Sequence, residues 1–339
     1  MNTKVLTQSN REEAARILRE GGLVGIPTET VYGLGANALD DRAVANIFIA
    51  KGRPQDNPLI IHIPEAAWLE QYCSNIPEAA WLLADRFWPG PLTMVLPRSE
   101  RVSDRVTAGL DTVGIRCPGH ELCRELIRLA GVPVAAPSGN TSGRPSPTTA
   151  AHMMEDMDGK IDAIVDGGPC GVGVESTIID LTCTPPRLLR PGGITLEQLT
   201  EVLGEVEVDP AVRRQMRAGE KPKAPGMAYR HYAPKAPVTV VAGDAAASAD
   251  YILRHAAPGN GVICFDEYSD RFLGCHVIAV GKFADKQEQA RHIFDALRAF
   301  DHTEVSAIWA QCPDSSGIGL AVVNRLSKAA GFHVIEVEP

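Results

Sequence analysis

The chain has 339 residues, of which 45% are apolar, 22% charged and 5% aromatic, and it carries a net charge of −9. That length corresponds to about two domains of roughly 150 residues, each able to bury a core, and the composition excludes a disordered or collagen-like chain. The acidic balance argues against a protein that coats nucleic acid non-specifically, though it leaves room for a local basic groove. No apolar run approaches the ~18 residues that cross a bilayer, and the opening MNTKVLTQSNREE lacks the apolar centre of a signal peptide, so a cytoplasmic protein without membrane contact is expected. The eight cysteines form neither a C-x-x-C pair nor a Cys/His zinc spacing and are expected to be free thiols, with no metal held by the protein itself.

The first elements alternate between helix and strand. Ser9 or Asn10 can cap a helix through Glu12, Glu13, Ile17 and Leu18, which Gly21 and Gly22 end. Leu23–Ile26 reads as a strand leading into the loop Pro27-Thr28-Glu29-Thr30. A helix is predicted over 40–50, with Val44, Ile47 and Phe48 on one face. Strands follow at 59–63, 92–96, 113–115, 132–136, 161–165, 176–181 and 187–190, with helices near 77–87 and 195–203. Residues 205–237 break this rhythm. Between 211 and 235, Arg213, Arg214, Arg217, Lys221, Lys223, Arg230 and Lys235 face one acid, Glu220, which gives the segment about +6. It reads either as a solvated connector or as a tether that folds over an anionic ligand. From Val238 a second α/β rhythm runs to the end, with strands VTVVAG, GVICF, HVIAVG, AIWAQC and FHVIEV. The expected organisation is an α/β domain over 8–204, a basic linker over 205–237 and a smaller Rossmann-like α/β domain over 238–339.

Familiar nucleotide motifs are absent: there is no G-x-x-x-x-G-K-[ST] and no complete G-x-G-x-x-G. Polar residues instead gather at strand ends. Lys51-Gly52-Arg53, stiffened by Pro54 and Pro58, suits an anion site, although a basic residue before Gly is also an ordinary helix end. Ser138-Gly139-Asn140 follows a strand, where α/β sheets place ligands, and equally fits an Asx-type turn. Arg116 and Arg190 close strands, and Glu175, Ser176 and Thr177 open one. Several arginines at the strand ends of one domain point to a shared polyanion, while each alone could be a structural ion pair.

Taken in order, IPTETVYGLGANA, KGRPQDNPLIIHI, WPGPLTMVL, VGIRCPGH, APSGNTSGRPSPT, GVESTIIDL, RPGGIT and PGMAYRHYAP resemble the YrdC-like threonylcarbamoyl-AMP synthases. The match covers about residues 8–235. The tail GIGLAVVNRLSKAA resembles the extra C-terminal domain of the family's long form. The resemblance implies a twisted open sheet around a basic cavity, with a linker lying over it. It implies an enzyme that condenses L-threonine, bicarbonate or CO2 and ATP, with Mg2+ on the phosphates, to threonylcarbamoyl-AMP and pyrophosphate. A downstream complex then passes the threonylcarbamoyl group to a tRNA adenosine; direct tRNA contact is not required for adenylate formation.

The family's K-x-R and S-x-N signature falls on Lys51, Arg53, Ser138 and Asn140, which the resemblance makes catalytic. ATP contacts are implied for Asn57, Thr112, Ser138, Ser146 and Arg190; Arg53 is assigned to the ATP phosphates by its charge, and Tyr229, Arg230 and His231 are expected to reach the ATP site as the basic tether closes over it. Threonine contacts are implied for Thr30, His62, Arg116, Ala136 and Ser176, with Arg116 forking its carboxylate. Family members often carry Lys where this chain has Ala228, so the tether's charge at that point is reduced. Two other readings are a non-catalytic RNA-binding maturation factor using the same cavity, and a carbamoyl-transfer domain like that of hydrogenase-maturation proteins. The second lacks the acylphosphatase and zinc-finger segments that accompany it.

Overall fold

The computed structural model describes residues 2–217, 220–227 and 231–338. Its first sheet is built from β1 (Lys4–Leu6), β2 (Val24–Ile26), β3 (Gly33–Asn37), β4 (Ile60–His62), β5 (Leu92–Pro97), β6 (Thr112–Arg116), β7 (Val134–Ala135), β8 (Ala163–Val165), β9 (Thr177–Asp180), β10 (Arg187–Arg190) and β11 (Glu207–Val208). The strands lie in the order β1-β8-β2-β3-β7-β4-β6-β5-β9-β10-β11 and the sheet is mixed. β4 and β6 run parallel with His62 beside Arg116, whereas β5 and β6 run antiparallel with Thr93 opposite Arg116. This register brings the ends of β4 and β6 and the starts of β5 and β9 to one edge.

Local chemistry explains the helices around it. The Asp40 side chain accepts from the Arg42 and Ala43 amides and starts the Asp41–Lys51 helix, which buries Val44, Ile47 and Phe48 and stops at Gly52 with φ 62°. The 40–50 expectation thus extends one residue further and leaves Lys51 at the helix's last position. The Glu121–Ala130 helix buries Leu122, Cys123, Leu126 and Ile127 against Ala14, Ala15 and Leu18 of the Arg11–Arg19 helix.

The second sheet contains β12 (Val238–Gly243), β13 (Gly261–Cys264), β14 (His276–Ala279), β15 (Ile308–Gln311) and β16 (Val334–Val337). It is parallel throughout, in the order β14-β13-β15-β12-β16, with the Ala245–His255, Lys286–Ala299 and Gly319–Ala329 helices between strands. The chain between the sheets is not a free connector. β11 joins the first sheet as its edge strand, and Ala211, Ala224 and Met227 pack with Ile60, Val95, Ile178 and Leu189. Among the described residues, all eight cysteines are free thiols and no helix is long and apolar enough to cross a membrane.

Two buried arginines of the second domain reach into the first. Arg298 is held by Asp156 Oδ2 at 2.8 Å and donates to the Pro145 carbonyl at 2.7 Å. Arg325 pairs with Glu175 at 2.7 Å and donates to the Pro191 carbonyl at 3.0 Å. Gly173 lies directly on the Lys286–Ala299 helix. Its φ is +81°, and a Cβ there would sit 2.3 Å from the Arg291 Cα and 2.5 Å from the Ala290 oxygen. Gly173→Ala should therefore cost about 2–4 kcal/mol from backbone strain and an unrelieved clash. The effect would appear as a lower thermal midpoint together with faster proteolysis between the domains; an unchanged midpoint would mean that this contact is looser than the structure has it.

Candidate active site

The sheet edge described above opens into a cleft lined by Thr28, Thr30, Lys51, Arg53, His62, Arg116, Ala136, Ser138, Asn140, Glu175, Ser176 and Arg190 from the first domain and by Pro225, Gly226, His231 and Tyr232 from the tether. Eleven of the residues singled out from sequence are here: Lys51, Arg53, Ser138, Asn140, Arg190, His231, Thr30, His62, Arg116, Ala136 and Ser176. They come from seven of the ordered motifs: strand register brings together those on the sheet, the end of the Asp41–Lys51 helix adds Lys51 and Arg53, and the tether adds His231.

The cations are held in two ways. Lys51 is buried, and its ammonium donates to the Ser138 carbonyl at 2.5 Å and the Asn140 carbonyl at 2.6 Å. It therefore ties the helix end to the S-x-N turn, while Gly52 performs the ordinary capping task. Arg190 donates through Nε to the Ser176 carbonyl at 3.0 Å, through NH2 to Ser176 Oγ at 3.1 Å and through NH1 to the Pro225 carbonyl at 3.2 Å. Lys328, from the last helix, bonds the carbonyls of Gly226 and Met227. No described carboxylate is ion-paired with Lys51, Arg190 or Lys328, so their charge is hydrogen-bonded but not cancelled. Arg116 and Arg325 differ. Arg116 meets Glu29 Oε1 at 2.5 Å and Thr30 Oγ1 at 2.9 Å, and Arg325 meets Glu175. The fork that the resemblance assigns to a threonine carboxylate is thus turned toward Glu29 here. Arg53 donates to the Asn57 carbonyl at 3.0 Å and lies over the Phe48 ring.

Burial sets the protonation of these groups. Desolvation, helped by nearby Arg53, lowers the Lys51 pKa to about 7. Burial next to Arg325 and Arg190 lowers Lys328 to about 7 as well. Burial, reinforced by Arg116, brings His62 down to about 3, so its ring is neutral. Burial would raise the Glu29 carboxyl, but Arg116 outweighs it and holds the pKa below the usual range. Two buried polar atoms of the lining find no hydrogen-bond partner among the described residues: His62 Nδ1 and Asn140 Oδ1. Each such atom costs about 1–3 kcal/mol when left unmade, which favours a ligand that supplies partners.

Three expected ATP contacts do not line the cleft. Ser146 is fully buried behind the lining, where its hydroxyl donates to Glu175 Oε1 at 2.5 Å. Asn57 is enclosed next to Arg53, at 1% exposure. Thr112 begins the strand that Arg116 ends, about 13 Å away at ~3.3 Å per residue. It borders a small pocket with Lys223, Ala224 and Pro225, so the tether separates it from the cleft. Tyr229 and Arg230 lie outside the described residues. The tether's charge is also partly spent: Lys223 pairs with Asp180 and Arg214 with Glu220. Sequence reasoning missed Arg325, Lys328 and Tyr232 as neighbours of the site. The signal for Arg325 and Lys328 was a polar set, with Asn324, inside an otherwise apolar helix pattern, and that for Tyr232 was its place in PGMAYRHYAP.

A family model described as "Telomere recombination", for Sua5, YciO and YrdC proteins, matches residues 16–192. A second model, "Threonylcarbamoyl-AMP synthase, C-terminal domain", matches 194–331. The chain belongs to the Sua5-type threonylcarbamoyl-AMP synthase family. It is 52% identical to the threonylcarbamoyl-AMP synthase of Pyrococcus abyssi, covering 96% of this chain and 95% of that one, and 48% identical to that of Bacillus subtilis, covering 95% and 93%. The crystal structure of P. abyssi Sua5 complexed with L-threonine superposes with a TM-score of 0.90 at 47% identity, covering 99% of this chain and 100% of that one. The E. coli YciO structure, at 24% identity and TM-score 0.52, shares the fold of the first domain. This chain is accordingly an enzyme of the synthase family, with the mixed α/β fold and second domain of its long form.

The lowered Lys51 pKa has a consequence with a definite sign. The Lys51 ammonium is charged below about pH 7 and neutral above it. A bound polyanion favours the charged form, so binding above pH 7 must take up a proton. Affinity for inorganic triphosphate should fall as pH rises from 7 to 9, by at most about tenfold per pH unit. Calorimetry in buffers of different ionisation enthalpy would detect the proton, and Lys51→Arg should flatten the trend. A pH-independent affinity would mean that Lys51 keeps its proton throughout.

Proposed function

We propose that the cleft binds ATP and L-threonine together, and that the enzyme joins threonine, CO2 or bicarbonate and the AMP moiety of ATP. The observation that supports this most is the set of buried cations bonded only to neutral oxygens, Lys51 and Arg190 above all. Such a set holds surplus positive charge in a low-dielectric cleft, and it suits a ligand of high negative charge.

The amine of threonine attacks CO2, loses a proton and becomes a carbamate. A carbamate oxygen then attacks the α-phosphorus, the bond to the β-phosphate breaks and pyrophosphate leaves. Nucleophile and electrophile are both anionic, so their approach to ~3–3.5 Å needs screening. Lys51 has three N–H groups and commits two to the carbonyls of Ser138 and Asn140, which leaves one for the transferring centre. Arg53 and Arg190 flank it. Neutral His62, with the hydroxyls of Thr30 and Ser176, suits the threonine hydroxyl, and Arg116 can share its guanidinium between Glu29 and the amino-acid carboxylate. Mg2+ would arrive on the triphosphate. The described lining offers one carboxylate, Glu175, already engaged by Arg325 and Ser146, so phosphate oxygens and water would supply most ligands. The product, a mixed anhydride, would go to a separate transferase complex acting on tRNA.

The cleft leaves about 70 Å3 of free volume, against the roughly 300–1,000 Å3 of ligand pockets in general. Ala224, Pro225 and Met227 occupy the sheet face between it and Thr112. Nucleotide entry therefore requires this part of the tether to lift, and its return would exclude water from the labile carbamate and adenylate.

Protein incubated with ATP, Mg2+, bicarbonate and threonine should release pyrophosphate without tRNA, in strict dependence on threonine. Lys51→Ala and Arg53→Ala should each lower that rate by about 10²–10³-fold while keeping the wild-type circular dichroism. Absence of threonine-dependent release from the wild type would refute the reading and favour an RNA-binding role for the cleft.

A further inference from the structure

A carboxylate in a cleft built for polyanions needs an explanation. Glu175 lines the cleft at 5% exposure. Its Oε1 accepts from Ser146 Oγ at 2.5 Å and its Oε2 from Arg325 Nε at 2.7 Å. Burial alone would raise its pKa, yet Arg325 and then Arg190 bring it down to about 2, so it is ionised at any working pH. Arg190 cannot be the principal partner, because all its described bonds go to Ser176 and Pro225. The charge of Glu175 is cancelled from the other domain. Arg325 is fully buried on the Gly319–Ala329 helix and held in place from several sides: NH1 donates to the Pro191 carbonyl and to Asn324 Oδ1 at 2.9 Å, and its guanidinium lies 5.6 Å from the Tyr232 ring centroid.

We propose that Arg325 is a positioning residue of the active site: it cancels the Glu175 carboxylate, so that the cleft of the first domain attracts a nucleoside triphosphate only when the second domain is docked. This rests on the reading that the cleft binds ATP. Its consequence is that the second domain supplies part of the site's electrostatics, in addition to covering the tether. Without Arg325, Glu175 would face Arg190 from β10, Lys51 from the Asp41–Lys51 helix, Lys328 from the last helix and Tyr232 from the tether. It would draw on the cations that the triphosphate needs and would repel the phosphates directly.

The test uses the full chain and the non-hydrolysable analogue α,β-methylene-ATP with Mg2+, titrated calorimetrically between pH 5.5 and 8.5. Arg325→Met should weaken binding at pH 8 by about 30-fold or more. The loss should shrink as pH falls, because the abandoned carboxyl can then take up a proton. The double variant Arg325→Met/Glu175→Gln should recover about tenfold or more and lose that acid-side rise, and Arg325→Lys should fall between Arg325→Met and wild type. A merely structural Arg325 would give single and double variants with equal affinity and a wild-type pH profile, and that result overturns the proposal. Should Arg325→Met not fold, Glu175→Gln decides alone. Removing the carboxylate leaves Arg325 in surplus, so affinity should be equal or tighter, and a weakening of about tenfold would refute the idea. A wild type that does not bind the analogue refutes the nucleotide reading and this inference with it. Tight binding by wild type and Arg325→Met alike refutes the inference only.

Discussion

A buried ammonium bonded to two backbone carbonyls is the contact on which the site depends. Lys51 joins the end of one helix to the turn after β7 and does so without a carboxylate partner. Carbonyl dipoles satisfy its hydrogen bonds but leave its charge uncancelled, and desolvation brings its pKa down toward neutrality. Arg190 repeats the arrangement with Ser176 and Pro225. Burying such charge without a counter-ion is costly. The tether carbonyls of Pro225, Gly226 and Met227 relieve part of that cost by accepting from Arg190 and Lys328. An anionic substrate would relieve more of it, which gives the substrate a means of displacing the tether.

The two domains are coupled through the same electrostatics. Arg298 clamps the loop after the S-x-N turn through Asp156 and Pro145, and Arg325 clamps the start of β9 through Glu175. Arg144 adds a third link, bonding Asp156 and Asp301 of the second domain. Buried pairs of this kind seldom add much stability over apolar packing, but breaking one is costly because it strands a charge. They sit beside a close backbone contact, with Gly173 pressed on the Lys286–Ala299 helix.

The sequence carried much of this. Short runs of β-branched residues located most strands, and the helix expected after Ser9 or Asn10 begins after Asn10, though without a capping side-chain bond, whereas the Asp40 and Thr195 side chains that do cap helices were seen only in the structure. The ordered motifs carried the family, and with it most of the residues that line the cleft. Other elements went unread for physical reasons. β3, with the sequence GLGAN, has no β-branched residue, yet it sits in mid-sheet because its glycines let β2 and the chain around Val134 and Ala136 approach closely. The Glu121–Ala130 helix has a clear amphipathic pattern but was masked by the motif before it. β1 and β11 are too short for periodicity to show, and only pairing makes them strands.

By itself the sequence determined the fold class, the two α/β units, the basic character of the tether and the chemistry of the strand-end residues, because these follow from local pattern and composition. Tertiary structure decided which charges remain available. Arg116, Arg190 and Arg325 look alike in the sequence; folding pairs the first and last with carboxylates and leaves Arg190 on neutral oxygens, since ion pairing depends on distances between residues up to 150 positions apart. Folding also placed Ser146 behind Glu175 and Thr112 at the far end of its strand. Side-chain direction and strand length are set in three dimensions, and a motif records only that a residue is present.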